Sequence, residues 1–543
     1  PAHGLPQDIL PRTSAETSGW ATTSTHSEVS SFMEQLEGLY GSAHMAVERI
    51  GASKEERDLL LVRLGSPLPA SDDANACGDR LRVLITGNIH GGEVEGKEAL
   101  QQIMREVVTG QHPLLLDKVA LFFVPVYNAD GNDAIARANR VSQNGPDGGV
   151  GERANGQGLD LNRDFIKAES PECQALLGLM NRLDPHLYVD LHTTNGSDHA
   201  YHLTYAPSLS TNVDPDLNRM AREKFLPGVR AAMARRAGWR IFDYGNFSGR
   251  EQVQWTTYDH RPRFGTNYVG LRNRFSILSE AYSYLPFQER VDVTHDFVLE
   301  ILTYAAEHAA ELRAACDAAD ERALSGEVTL GVDTGLAEGR PLEVMRGNLS
   351  SVELSGLGTR RGVGDEWTTE TMQVRVSFES KRQVPLPAAW ALREPGPEVL
   401  KPLAWHGLQV IPTGMLRELG IDTLESARTE LGVSLAINYA TRRIGDEGLS
   451  VATTLVDISA QRQLDADTFR GTFENLIELE EQVVLQVLRM LRVELTPIEQ
   501  TTLRPGTTDP AAYELFLRGQ GLLADYDDPE TVVAAASLLA VFT

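Results

Sequence analysis

The stretch LRVLITGNIHGGEVEG, residues 81–96, ends an apolar run and then presents His90, Gly91, Gly92 and Glu93 in succession. A His and a Glu three residues apart can offer an imidazole and a carboxylate to one cation. The same four residues are also an ordinary turn from strand to helix, with an acidic residue in the first turn of the helix. Gly91 and Gly92 have no Cβ, so the backbone can bend tightly there and turn both side chains toward one point. On local sequence both readings stand. A second H-x-x-E, His308 to Glu311, lies inside an Ala-rich helical pattern with no strand before it and reads as a solvated helix face.

Other apolar runs end in the same way. LYVDLHTTNG closes on His192, with Asp190 two residues earlier, and FSILSEAYSY closes on Glu280. GLDLNRDF sets Asn162 and Arg163 behind a short apolar run. Two imidazoles and one carboxylate make a catalytic zinc set that leaves one coordination position for water. A further carboxylate that does not ligate can serve that water as general base. A guanidinium beside an amide suits a carboxylate ligand, because the guanidinium grips it with two parallel hydrogen bonds. Polar groups at the ends of successive buried strands are harder to explain by packing than one isolated His. Open α/β sheets place their ligand sites at the carboxyl ends of their strands.

The elements that must position these residues follow from pattern. Short apolar runs at 81–86, 119–127, 187–191 and 275–279 read as strands buried on both faces. Helical patterns follow Gly92, Pro171, Pro215 and Val291, which gives an α/β fold. Residues 1–24 are rich in Pro, Ser and Thr and read as an arm, and Thr25 to Glu28 reads as a capping box that opens a helix to about Tyr40. Past residue 326 the texture changes. TMQVRVSFES alternates Met372, Val374, Val376 and Phe378, the period of a strand, among Gly- and Pro-rich turns. After His406 it changes again. TLESARTELGVSLAIN reads as helix then strand, LSVATTLVDIS as a strand, and residues 475–495 place Leu476, Leu479, Val483, Val487 and Leu491 near one helical face.

Composition narrows the function classes. A chain of 543 residues exceeds one hydrophobic core. A net charge of −26 argues against nucleic acid, because phosphate binding needs basic patches. Three widely separated cysteines, Cys77, Cys173 and Cys316, provide neither a CxxC metal site nor a disulfide scaffold. No run of apolar residues is long enough to predict a membrane span.

HGGE, DLNRDF, DLHTTNG and ILSEAYSY together resemble the zinc carboxypeptidases related to carboxypeptidase A, over about residues 10–410 and most clearly 81–290. The resemblance implies a mixed, largely parallel central sheet flanked by helices. It implies one zinc per chain on His90, Glu93 and His192, with Glu280 as general base and later proton donor. Asn162 and Arg163 would hold the terminal carboxylate of a peptide with a free C-terminus. Arg140 first, and Arg137 second, would polarise the scissile carbonyl, and Tyr244 would be the family's mobile tyrosine. The floor of the side-chain pocket would lie near residues 250–254, and Arg250 in it would favour acidic side chains. Family habit and the absent initiator Met imply a secreted or periplasmic protein.

The resemblance fades near residue 410. Residues 411–505 resemble a TolB-type amino-terminal α/β domain, and DPAAYELFLRGQGLL resembles the opening of a tetratricopeptide repeat, which needs neighbours to bury its faces. The expected order is an arm and helix over 1–80, a catalytic domain over 81–325, a small β domain over 326–410, an α/β module over 411–505 and a partial helical repeat over 506–543. The C-terminal module would bind a protein partner. Two other functions share part of the pattern: a zinc N-acyl amino acid deacylase of the aspartoacylase kind, and a non-catalytic binding protein on a peptidase fold.

Overall fold

The computed structural model describes residues 10–40, 44–194, 196–249, 252–325, 328–386 and 397–408, together with the strand backbone of three stretches beyond residue 434. Ten strands precede residue 283: β1 Met45–Ala52, β2 Asp58–Leu64, β3 Leu81–Gly87, β4 Val119–Val124, β5 Leu187–Thr194, β6 Leu203–Pro207, β7 Ile241–Asp243, β8 Asn246–Ser248, β9 Gln254–Thr256 and β10 Phe275–Tyr282. Eight of them form one sheet in the order β1-β2-β4-β3-β5-β10-β6-β7. The pairs β4–β3, β3–β5, β5–β10 and β6–β7 are parallel. The pairs β1–β2, β2–β4 and β10–β6 are antiparallel. The fold is therefore mixed α/β with a parallel centre.

The four expected strands are β3, β4, β5 and β10, and every residue of β4 and β5 is buried. Val83, Ile85, Leu121, Phe123, Val189 and Ile277 pack into the main core with the helices His26–Tyr40, Glu95–Val108 and Phe287–Glu307. Leu84, Phe122 and Tyr188, at the alternate positions, are equally buried. Both faces of the parallel centre are thus closed, which is why these runs are apolar throughout. Sequence reading missed β1 and β2, which extend the sheet at one edge. Their burial is uneven, so the apolar signal is weak there. The capping box is present: Thr25 N donates to Glu28 Oε2 at 2.7 Å, and Glu28 N donates to Thr25 Oγ1 at 3.3 Å.

Strands β11 Thr329–Leu336, β12 Arg340–Leu354, β13 Gly358–Arg375 and β14 Phe378–Pro385 follow. Long hairpin β12–β13 joins β9 and β8 in a four-stranded sheet, while β11 pairs with β14. The expected alternating strand through Phe378 is two strands: Met372 and Val374 lie buried in β13, and Phe378 opens β14. These strands belong to the same compact unit as the large sheet, residues 1–323 and 327–385. A second unit, residues 324–326 and 386–543, contains a helix, Pro397–Trp405, and an antiparallel sheet of β15 Leu435–Ile444, β16 Gly448–Asp457 and β17 Arg462–Thr472. The helices expected at 423–432 and 475–495, the repeat beyond 506, and Arg250 lie outside the described residues. Among the described residues no helix is long and apolar enough to cross a membrane.

Helix Phe287–Glu307 packs on Glu95–Val108, and a polar lock joins them. His295 Nε2 lies 3.0 Å from Glu106 Oε1, whose Oε2 lies 3.0 Å from His112 Nε2, and His295 Nδ1 lies 3.3 Å from Asp296. Burial opposes a charge on His295, but the Asp296 and Glu106 carboxylates outweigh it and raise its pKa to about 9. Burial likewise opposes ionisation of Glu106, and the two imidazoles lower it to about 2. A raised His pKa contributes stability in full below its ordinary value near 6.5, and that contribution disappears as pH rises through about 9. We predict that His295→Gln lowers unfolding free energy by about 1–3 kcal/mol near pH 6. The gap from wild type should narrow between pH 7 and pH 10 in denaturant titrations. A gap that stays constant over that range would contradict the lock.

Candidate metal centre

The sheet order reverses at β3: the chain leaves β3 for β4 on one side and later places β5 on the other. Such a switch point opens a crevice at the carboxyl ends of the strands. His90 and Glu93 follow β3, His192 lies near the end of β5, and Glu280 lies opposite His192 in the β10 register. Residues separated by almost two hundred positions therefore meet at one edge of the sheet.

The turn after β3 is held by close contact. A Cβ on Gly91 would stand 2.2 Å from the Gly131 carbonyl carbon, and one on Gly92 would stand 2.6 Å from Arg140 Cδ. Neither glycine has a positive φ, so approach rather than backbone freedom requires them. Asn88, just before the turn, has φ 61°. Its amide nitrogen donates to the carbonyls of His90, Gly91 and Glu93 at 3.3, 3.2 and 3.1 Å. Sequence reading passed over Asn88, although Asn is among the few side chains that tolerate this conformation.

His90, Glu93 and His192 are all buried, and one ligand atom from each lies within 4.8 Å of the others. His90 Nδ1 is 3.0 Å from Glu93 Oε1, and His192 Nδ1 is 2.9 Å from Glu93 Oε2. The far nitrogens face carboxylates: His90 Nε2 is 3.0 Å from Asp160 Oδ1, and His192 Nε2 is 2.9 Å from Asp190 Oδ2. The hydrogen-bonded carboxylate behind His90 favours the tautomer that leaves its Nδ1 free for a metal, and Asp190 sets a negative charge beside His192. The three inner groups fit a zinc ion with a fourth position open.

The electrostatics agree with that donor set. Burial opposes a charge on Glu93, yet His90, Arg140 and His192 hold its carboxyl well below the usual range. Burial also opposes a charge on His192, while Asp190 and Glu93 raise its pKa well above normal. The same attraction serves a cation, which displaces that proton on binding. The half-buried Glu280 carboxyl is pushed up to about 8, chiefly by burial, with the Glu93 charge adding to it and His192 opposing. Glu280 is thus set apart from the ligating carboxylate by environment.

The other expected residues divide. Asn162 is buried, with its amide nitrogen 3.3 Å from His192 Nε2 and its oxygen accepting from Gly265 N at 3.0 Å. Arg163 stacks 4.1 Å over the Phe264 ring and donates to Asn162 O at 2.8 Å. Arg140 is in the cluster, but its donors are engaged: Nε to Gln143 Oε1 at 2.8 Å, Nη1 to Glu93 Oε1 at 3.0 Å, and Nη2 to Thr193 O at 2.9 Å. Arg137 is exposed and makes no ion pair with the cluster among the described residues. Tyr244 lies beside Glu280, whose charge adds to burial in raising its phenol pKa.

Two neighbours were missed. Arg153, 47% exposed, places Nη2 2.8 Å from Asp160 Oδ2 and Nη1 3.3 Å from His90 Nδ1 and 3.8 Å from Glu93 Oε1. Tyr258 meets Tyr244 edge to face at 5.4 Å, and its phenol also feels Glu280. Neither stands next to a recognisable motif residue, so only the fold brings them in. The His308–Glu311 pair is a contact of 3.3 Å between exposed side chains, but His308 sits at the break between helices Phe287–Glu307 and Ala309–Ser325 and not inside one helix.

Comparison with known proteins gives a consistent assignment. Residues 29–267 match the zinc carboxypeptidase family model. Mouse carboxypeptidase D is 30% identical over 158 residues, covering 24% of this chain and 11% of that protein. Human carboxypeptidase Z is 35% identical over 130 residues, covering 23% of this chain and 19% of that protein. The chain thus spans a small part of the length of these relatives. Among solved structures, a metallo-carboxypeptidase from Pseudomonas aeruginosa is 20% identical with a TM-score of 0.38, covering 52% of this chain and 69% of that one. The family match over residues 29–267 takes in all three candidate ligands.

Proposed function

We propose that this chain is a zinc-dependent metallocarboxypeptidase that removes C-terminal amino acids from peptides. The observation that carries the reading is the convergence of His90, Glu93 and His192, each imidazole backed by a carboxylate, with Glu280 aligned beside His192 but outside the ligand set. A zinc ion held there would supply a Lewis acid and lower the pKa of water.

The chain's own residues account for the remaining steps. Arg163 and Asn162 hold the terminal carboxylate, and the Phe264 ring keeps the Arg163 guanidinium oriented. Glu280 accepts a proton from the attacking water and returns it to the amide nitrogen as the peptide bond breaks. Arg153 is better placed than Arg140 to stabilise the developing oxyanion. Its side chain is 47% exposed against 18% for Arg140, and while Asp160 holds its Nε and Nη2, its Nη1 lies 3.3 Å from His90 Nδ1. Tyr244 and Tyr258 pack with Leu278, Ala206 and Leu209 in one apolar cluster. Arg140 instead holds the ligand carboxylate in place.

Four variants separate these roles. Glu280→Gln should retain one zinc per chain while release of the terminal residue from a blocked dipeptide falls at least about a hundredfold. Retained hydrolysis would remove Glu280 from the mechanism. Arg153→Ala should lower kcat about a hundredfold with metal retained, as expected for loss of one oxyanion donor. If Arg140→Ala alone reproduced that effect, the assignment would revert to Arg140. Asp160→Asn should weaken zinc affinity about 10–100-fold in competition with a chelating dye, because His90 loses its anionic backing. Unchanged affinity would contradict the metal assignment of His90.

A further inference from the structure

Glu95, the first residue of the helix Glu95–Val108, and Arg290, in the helix Phe287–Glu307, have no solvent-exposed side-chain surface. Neither takes part in the steps above. The Glu95 carboxylate accepts from Arg290 Nε through one oxygen and from Thr193 Oγ1 through the other. The Arg290 guanidinium also reaches the main chain of two further segments. Its Nη1 donates to Asn144 O at 2.8 Å, Ser283 O at 3.2 Å and Leu285 O at 2.7 Å, and its Nη2 donates to Gly145 O at 2.9 Å.

These contacts select the segments that carry the site. Asn144 and Gly145 end the loop that bears Arg140 and Gln143. Ser283 to Leu285 form the turn directly after β10, beginning three residues past Glu280. Thr193 follows His192, donates its own N–H to Glu93 Oε2 at 3.1 Å, and offers its carbonyl to Arg140. One buried ion pair therefore touches the residue after His192, the turn that begins three residues past Glu280, and the loop four residues past Arg140. A buried pair of this kind is a poor source of stability, since well-packed apolar residues of similar volume often do as well. Its value lies in the geometry it imposes.

We propose that Glu95 and Arg290 are positioning residues that fix His192, Glu280 and the Arg140 loop in mutual register, with Thr193 Oγ1 as the link to the metal ligand. The effect on hydrolysis rests on the peptidase reading above, and the effect on metal affinity rests only on the ligand set.

Thr193→Val tests this with little change of shape, because it removes only the hydroxyl. The readouts are Co2+ affinity from the visible absorption of the bound ion, melting temperature without metal, and kcat and KM for a blocked dipeptide. Thr193→Val should weaken Co2+ binding about tenfold, the usual scale for an outer partner of a ligand. It should lower kcat about tenfold with KM within twofold, while the metal-free melting temperature stays within a few degrees of wild type. Thr193→Ser keeps the hydroxyl and should restore both values, whereas Arg290→Lys, which cannot span both segments, should not. If Thr193→Val and Arg290→Lys lower the melting temperature but leave Co2+ affinity and kcat unchanged, the pair is a structural bridge only and the proposal is overturned. A wild-type chain that binds Co2+ but releases no terminal residue would overturn the peptidase reading, and the affinity comparison would still decide the positioning role. A wild-type chain that binds no Co2+ would overturn both.

Discussion

The charge on Glu93 is the constraint around which this structure is arranged. The residue is 4% exposed, and a carboxylate so far from water is costly unless its partners are all in place. Its partners are His90 from its own turn, His192 and the Thr193 N–H from β5, and Arg140 from a loop after β4. The helix Glu95–Val108 begins just after it, and the positive end of that helix favours an anion there. Glu93 can be ionised only where the sheet edge, the loop and the helix meet, and those same neighbours leave two imidazole nitrogens facing its oxygens.

Around that centre the fold alternates rigid and polar layers. The glycines of the turn let its main chain lie against the Gly131 backbone and the Arg140 side chain, which fixes where His90 and Glu93 emerge. Behind the imidazoles, Asp160 orients the His90 ring by a hydrogen bond and Asp190 places a carboxylate 2.9 Å from His192 Nε2. On Thr193, the residue after His192, rests the buried ion pair of Glu95 and Arg290. The N-terminal segment completes the support: Thr23 Oγ1 and Ser24 N donate to Glu98, and Arg105 pairs with Glu16 at 2.6 Å. Residues before the first strand thus brace the helix that follows the ligands.

Much of this could be read in the sequence where one signal and one cause coincide. Strands buried on both faces leave unbroken apolar runs, and a polar residue that ends such a run stands out, as His192 and Glu280 do. The Thr25 capping box was legible for the same reason, since its hydrogen bonds are local. What escaped was decided by distance in the fold. Arg153 is an ordinary exposed arginine in the sequence, and its position beside His90 depends on how the loop returns to β3. Tyr258 and Tyr244 are fourteen residues apart and meet because they flank the antiparallel pair β8–β9, in which Asn246 lies opposite Thr256. Strand β1 is partly exposed along most of its length and β2 at three of its seven residues, so their pattern lacked the contrast that marked β3 to β5.

The central claim, that this cluster is a zinc site that performs hydrolysis, is tested most directly by metal analysis of the purified chain. The assay pairs metal content with hydrolysis of a blocked dipeptide carrying a free C-terminus, before and after chelation. The account predicts one zinc per chain, loss of terminal-residue release on chelation, and recovery when zinc is restored. A chain that binds no zinc, or that releases the terminal residue equally well after complete metal removal, would contradict it.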